Sequence, residues 1–263
     1  MRPVLKNTSL KNHSLRQKTP RNHNLEQQAQ ALYKSWFVDF EPFKGGKFVD
    51  SELGLIPEGW SVTSLEELTH TITKGTTPTT FGYGFIDKGI PFLKVESILD
   101  NHTLDYSKFA FITKETNDAL SRSKIVEGDI VFSIAGTLGR FALIDHNSPT
   151  NMNTNQAVAI IRANNTKVSP LYLYSLFLGG WHHDYCLKNI QQAVQANLSL
   201  STLREMPIII PAEKSMNEYM KVVSALIETI SHNSLMSQVL SRLRDDLLPN
   251  LMSNGMTKYT ASY

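Results

Sequence analysis

The sequence is poor in the features that usually announce catalysis or export. One cysteine, Cys186, occurs in 263 residues. No internal disulfide can form, and the chain fits a reducing cytosol. No apolar run approaches the ~20 residues of a membrane span. Met1 leads into arginine, lysine and asparagine, not the apolar core of a signal peptide. Gly136-Thr-Leu-Gly139-Arg140 is not a phosphate loop, which needs four residues between its glycines and then Lys-Ser/Thr. Neither a Gly-x-Ser-x-Gly elbow nor a His-Glu-x-x-His pair occurs. His182-His183-Asp184-Tyr-Cys186 gathers metal-capable side chains, but adjacent histidines point apart on a helix and no second ligand pair stands at zinc spacing. The expectation is a chain with no metal, no cofactor and no catalytic residue of its own.

Acidic residues are also scarce in two places. The first 25 residues carry Arg2, Lys6, Lys11, Arg16, Lys18 and Arg21 and no acid. Between His146 and Arg204 only Asp184 stands against Arg162, Lys167, Lys188 and Arg204, amid many amides. The net charge of +2 alone points to no partner, but a basic, amide-rich surface suits phosphate positioning and base-edge contacts.

What is present is organised around a long helix predicted from about Ser215 to Leu248. Val222, Leu226, Met236, Leu240, Leu243 and Leu247 follow alternating steps of three and four once Thr229 and Asn233 fill the gaps. That is a coiled-coil seam with a polar Asn of the kind that fixes register, and it needs a partner. Pro211 precedes the helix, and Pro249 is expected to stop it. Shifting the numbering by 211 sets Asn22, Leu25, Ala29, Leu32 and Trp36 on Asn233, Met236, Leu240, Leu243 and Leu247. Residues 22–36 therefore read as a shorter helix with the same seam, as in one unit of a molecule that contains two.

Five segments follow: a basic tail over 1–21, the short helix and linker over 22–49, a globular domain over 50–211, the long helix over 212–250, and a tail over 251–263. The expected fold class is α/β (α+β), a globular domain plus a long C-terminal coiled-coil helix. Trp60 reads as a core anchor, and Ser64-Leu-Glu-Glu67 as a capping box. Strands are predicted at Ile90–Val95, Asp129–Ile134, Arg140–Ile144, Ala157–Ile161 and Pro207–Pro211, with a hairpin turning through Ala135–Gly139. Pro170–Leu178 reads as a helix with proline in its first turn.

Three loops are dense in short hydrogen-bonding side chains: Lys74–Thr80, Thr150–Gln156 and Gln191–Asn197. Asn and Gln can pair bidentately with adenine edges, and Arg and Lys with guanine or phosphate. The same residues also favour turns for backbone reasons. From side-chain chemistry, the candidate DNA contacts are Lys74, Thr76, Thr77, Thr79, Thr80, Arg140, Asn153, Asn155, Gln156, Gln192 and Gln195.

The order of segments resembles the specificity subunit of type I restriction–modification systems. The resemblance is carried by Leu25–Phe40, Gly54-Leu-Ile-Pro-Glu-Gly-Trp60, Lys74-Gly-Thr-Thr-Pro78, Ile90-Pro-Phe-Leu93, Gly128–Arg140, Thr154-Asn-Gln-Ala157, Ile208-Ile-Ile-Pro211 and Leu243–Pro249. It implies a target-recognition domain over about Asp50–Pro211 and a spacer helix that pairs antiparallel with another. It further implies a partnership with double-stranded DNA, methyltransferase subunits and a restriction subunit. S-adenosylmethionine and ATP would belong to those partners. A single recognition domain implies a half-length form, expected to act as a dimer through its helices on a split target. Two rival readings remain open: a nuclease or methyltransferase using His182–Cys186, and a coiled-coil scaffold that binds only protein.

Overall fold

The computed structural model describes residues 20–189 and 197–256. Helix α1 (Pro20–Phe37) leads into a hairpin of β1 (Phe48–Ser51) and β2 (Gly54–Pro57), then β3 (Ser61–Ser64) and β4 (Thr69–Lys74). Next come β5 (Ile90–Leu93), β6 (Ala110–Ile112), the short helix α2 (Lys114–Ala119), β7 (Asp129–Ser133), β8 (Phe141–Leu143), β9 (Asn153–Thr154) and β10 (Val158–Ala163). Helices α3 (Pro170–Leu178), α4 (Trp181–Lys188) and α5 (Leu200–Arg204), strand β11 (Pro207–Ile210) and helix α6 (Glu213–Met256) complete the chain. The mixed α/β class and the long final helix are as expected. Among these residues no helix is long and apolar enough to cross a membrane.

The centre is an antiparallel sheet in the order β4-β10-β7-β8. Strand β7 is buried along its whole length, as its apolar run requires. Its side chains alternate between two cores: Ile130 and Phe132 pack with α3 on one side, and Val131 faces Ile98, Leu104 and Phe109 on the other. The one charge on β7, Asp129, is fully buried and held by Arg162, whose Nε and Nη2 donate at 2.7 and 2.8 Å. A smaller sheet, β6-β5-β9, flanks this layer.

Strand β11 pairs with β3 and leads directly into α6, so the domain is fastened at the root of the long helix. The aromatic run after α1 packs as its composition demands. Phe37 lies 4.8 Å from the Tyr219 ring and 5.6 Å from Trp60, and Phe43 lies 4.9 Å from Trp60.

Helix α1 packs antiparallel on α6. Asn22 at its start donates to the Ile230 carbonyl (3.2 Å) and Ser234 Oγ (3.0 Å), while Trp36 and Phe37 at its end meet Tyr219. The stripe that α1 buries is Asn22, Glu26, Ala29, Tyr33 and Phe37, with Leu25, Leu32 and Trp36 half-buried at its margin. The stripe thus lies one position round from the seam read in the sequence. Tyr33 explains the shift, because its ring fits over Gly179, where a Cβ would sit 2.1 Å from it.

Helix α6 shows two faces. Tyr219, Val223, Ile227 and Ile230 are buried against the chain's own core. The predicted seam lies on another face: Val222, Met236, Leu240, Leu243 and Leu247 are exposed, and Leu226 and Asn233 are half-buried. Pro249 does not end the helix, which runs to Met256 and is about 66 Å long at about 1.5 Å per residue. Proline removes one donor, and a helix of this length can forgo one hydrogen bond while the turns on both sides continue. At Ser64 the expected cap is made, with Glu67 N donating to Ser64 Oγ at 3.3 Å, but it starts a 3-10 turn.

Candidate nucleic-acid interface

One end of the central sheet collects the loops singled out in the sequence. Strand β4 finishes there at Lys74, which pairs with Ala159 near the start of β10. Strand β7 finishes there at Ser133, opposite Val158. The loops after β4, between β7 and β8, and before β10 therefore leave the sheet side by side. The third loop returns to the same end, since Asn197 bridges to Ala135 and Leu198 N donates to the Ile134 carbonyl at 2.9 Å.

The first two loops are bonded to each other. Thr76 N donates to the Thr154 carbonyl at 3.2 Å, and the Thr77 hydroxyl donates to the Gln156 side-chain oxygen. Gly75 allows this approach: a Cβ there would lie 1.9 Å from the Thr154 carbonyl oxygen. The sequence presented that glycine only as part of a turn. Lys74, Thr79, Thr80 and Gln156 are exposed, whereas Thr76, Thr77 and Asn155 are half-buried. Asn155 spends its Oδ1 on the Ala157 amide at 3.1 Å, a local turn bond.

The β7–β8 hairpin is fixed by Ser133. Its Oγ accepts from Arg140 N at 2.8 Å and donates to the Thr137 carbonyl, with Gly136 and Gly139 in left-handed conformations at the turn. Arg140 is held over the surface by Asp100, its Nε donating to Oδ1 at 2.7 Å, and by the Ile98 carbonyl at 3.2 Å. Nothing local in the sequence signals Asp100 as this partner, forty residues earlier.

Two sequence expectations need correction. Asn153 is fully buried and does not reach the surface. Its Nδ2 donates to Asn117 Oδ1 (2.9 Å) and the Leu120 carbonyl (3.1 Å), and its Oδ1 accepts from Ser123 Oγ (2.7 Å) and Thr154 N (2.8 Å). An amide with all its capacity used inside is a structural joint. The second correction concerns the basic stretch, whose cations are largely committed. Arg162 holds Asp129, Lys167 bonds the Glu67 carbonyl at 2.7 Å, and Arg204 bonds the Ile72 carbonyl at 2.8 Å beside Glu66. Gln192 and Gln195 lie outside the described residues.

The His182–Cys186 segment is not assembled for chemistry. His182 is buried among Phe132, Phe141 and Phe177, and burial, helped by neighbouring His183, pushes its pKa down to about 4. Cys186 is buried too, and desolvation pushes its thiol up to about 12, away from the reactive thiolate. His183 faces solvent. No group of three metal-capable side chains occurs among the described residues.

Residues 57–240 match the family described as the type I restriction modification DNA specificity domain. The chain belongs to that family. It is 28% identical over 241 residues to the type I restriction enzyme MjaIX specificity subunit of Methanocaldococcus jannaschii, covering 89% of this chain and 54% of that protein. With the HindI specificity subunit of Haemophilus influenzae it shares 25% over 298 residues, covering 88% and 62%. The chain thus spans little more than half the length of these relatives. Its fold is similar to that of a type I restriction–modification S subunit from M. genitalium, with TM-score 0.54 and 16% identity over 87% of this chain and 53% of that one. A similar likeness joins it to a chain described under "complex assembly and conformational transition of the type I R-M system", with TM-score 0.51 and 14% identity over 87% and 51%.

Proposed function

We propose that this chain recognises one half of a split DNA target and directs type I methyltransferase subunits, and a restriction subunit where present, to that site. The observation that carries the reading is the convergence of the 74–80, 150–156 and 134–140 loops at one end of a rigid sheet, in a chain of the specificity-domain family. Lys74, Thr79, Thr80 and Gln156 supply exposed cationic, hydroxyl and amide groups there. Thr76, Thr77, Asn155 and Arg140 lie at the same end and shape or extend that surface. A short side-chain repertoire of this kind can hold phosphates and read base edges without a cofactor.

Two copies act together through α6. The seam of Val222, Leu226, Asn233, Met236, Leu240, Leu243 and Leu247 avoids the face that packs on the chain's own core. An antiparallel two-fold axis between Ser234 and Leu235 sets Val222 opposite Leu247 of the second copy, Leu226 opposite Leu243, Thr229 opposite Leu240, and Asn233 opposite Met236. The overlap of the helices fixes the distance between the two recognition domains, and with it the gap between half-sites. The reading is tested by expressing the chain with its cognate methyltransferase subunit in a host free of other modification and mapping methylated bases. A split palindrome is the expected result. An asymmetric split site would replace self-pairing by pairing with a different half, and no new motif from a soluble, assembled complex would overturn the reading.

A further inference from the structure

Phe81 is the most exposed large apolar side chain among the described residues, at 63%. It sits in the candidate interface, on the turn that follows Lys74. Other apolar residues nearby are accounted for by packing within the chain. Phe85 meets Phe92 edge-on at 5.4 Å and carries the Lys94 ammonium 4.7 Å above its ring, and Ile86 bridges to Phe111. Among the described residues no other ring lies against Phe81.

The turn that presents Phe81 is built to hold its shape. Pro78 is buried at its base, and Thr80 N, Gly82 N and Tyr83 N donate to the carbonyls of Thr77 (3.0 Å), Thr79 (3.1 Å) and Pro78 (3.2 Å). Gly82 closes it in the left-handed region at φ 78°. The Thr77–Gln156 and Thr76–Thr154 bonds fasten the turn to the second loop. A phenyl ring held out in water on a rigid support, with exposed Thr79 and Thr80 beside it and Lys74 at the root, is arranged for a partner with both charge and an apolar feature.

We propose that Phe81 is a specificity-determining residue that packs against the 5-methyl group of a thymine in the major groove of the half-site. This inference rests on the DNA-recognition reading above. Two bonded chain segments side by side have the width of a two-stranded ribbon, which the major groove admits and the narrower minor groove does not. In the major groove the thymine methyl is the apolar mark on the base edges, and aromatic contact with it distinguishes thymine from cytosine.

The test uses the full chain assembled with its methyltransferase subunit, on DNA carrying the target found by methylation mapping. Each thymine of one half-site is replaced in turn by deoxyuridine, which removes only the methyl group. The expected result is one position at which the wild-type complex loses roughly fourfold in affinity, the change that one buried methyl group sustains. Phe81→Ala should lose at least as much on unmodified DNA and be indifferent to deoxyuridine at that position. Its unfolding temperature should match the wild type, because the ring is exposed. A Phe81→Ala complex that binds like the wild type overturns the inference. So does one that binds weakly while every deoxyuridine effect persists, which would place the ring elsewhere on the DNA. A wild-type complex with no sequence preference at all overturns the DNA-recognition reading itself.

Discussion

Gly75 and Thr154 approach so closely that a Cβ on Gly75 would sit 1.9 Å from the Thr154 carbonyl oxygen and 2.3 Å from its carbon. These are backbone atoms, so no side-chain rotation relieves the clash. Gly75→Ala must push the first loop away from the second and break the Thr76–Thr154 bond. The expected cost in stability is about 1–3 kcal/mol. Target affinity should fall roughly tenfold or more, since a well-placed base contact is worth about 1–3 kcal/mol. Thermal unfolding and binding titrations measure the two effects separately.

Asn153 and Gln156, three residues apart, should behave in opposite ways. Asn153→Ala strips partners from Asn117, Ser123 and the Leu120 carbonyl inside the fold. It should destabilise by roughly 2–3 kcal/mol and leave the target sequence unchanged. Gln156→Ala, at an exposed position, should leave unfolding almost unmoved and weaken or relax target preference. Denaturant melts and methylation mapping of both variants check the contrast.

Leu240 and Leu243 are 59% and 50% exposed in the single chain. Replacing both with glutamate removes apolar surface from the seam without touching the domain core. Sedimentation should then show a monomer where the parent is a dimer, with the domain melting at an unchanged temperature. A double variant that still dimerises would move the interface off this seam.

His182 is neutral in the fold, its pKa pushed down to about 4 by burial. In the unfolded chain it takes up a proton near its ordinary value of about 6.5. Above that pH neither state is protonated, and the histidine adds no pH dependence. As pH falls from about 6.5 to about 4, the unfolded state gains a proton that the folded state refuses, so stability declines. The decline approaches roughly 3 kcal/mol at about 1.4 kcal/mol per unit. His182→Phe should flatten this part of the stability profile, which melts recorded across that range would reveal.

The architecture was legible where one local period decides the outcome. The run of β7, the proline-led α3, the glycines of the β7–β8 hairpin and the seam of α6 each carry their signal within a few residues. The seam could be recognised as needing a partner because three-and-four spacing over a long helix leaves an apolar face that the helix cannot bury alone. Family resemblance was likewise readable, because it lies in the order of short segments along the chain.

What only the tertiary structure decided was which polar and apolar groups were already spoken for. Asn153 and Asn155 look alike in the sequence, yet one is an internal joint and the other lies at the interface. Arg162 and Arg204 look like free cations until Asp129 and the Ile72 carbonyl are brought beside them. The buried stripe of α1 turned by one position because Tyr33 fits over Gly179, a contact between residues far apart in the chain. Local sequence determines the period and propensity of each element. Whether a side chain faces water, a core or a partner depends on which distant segment is packed across from it.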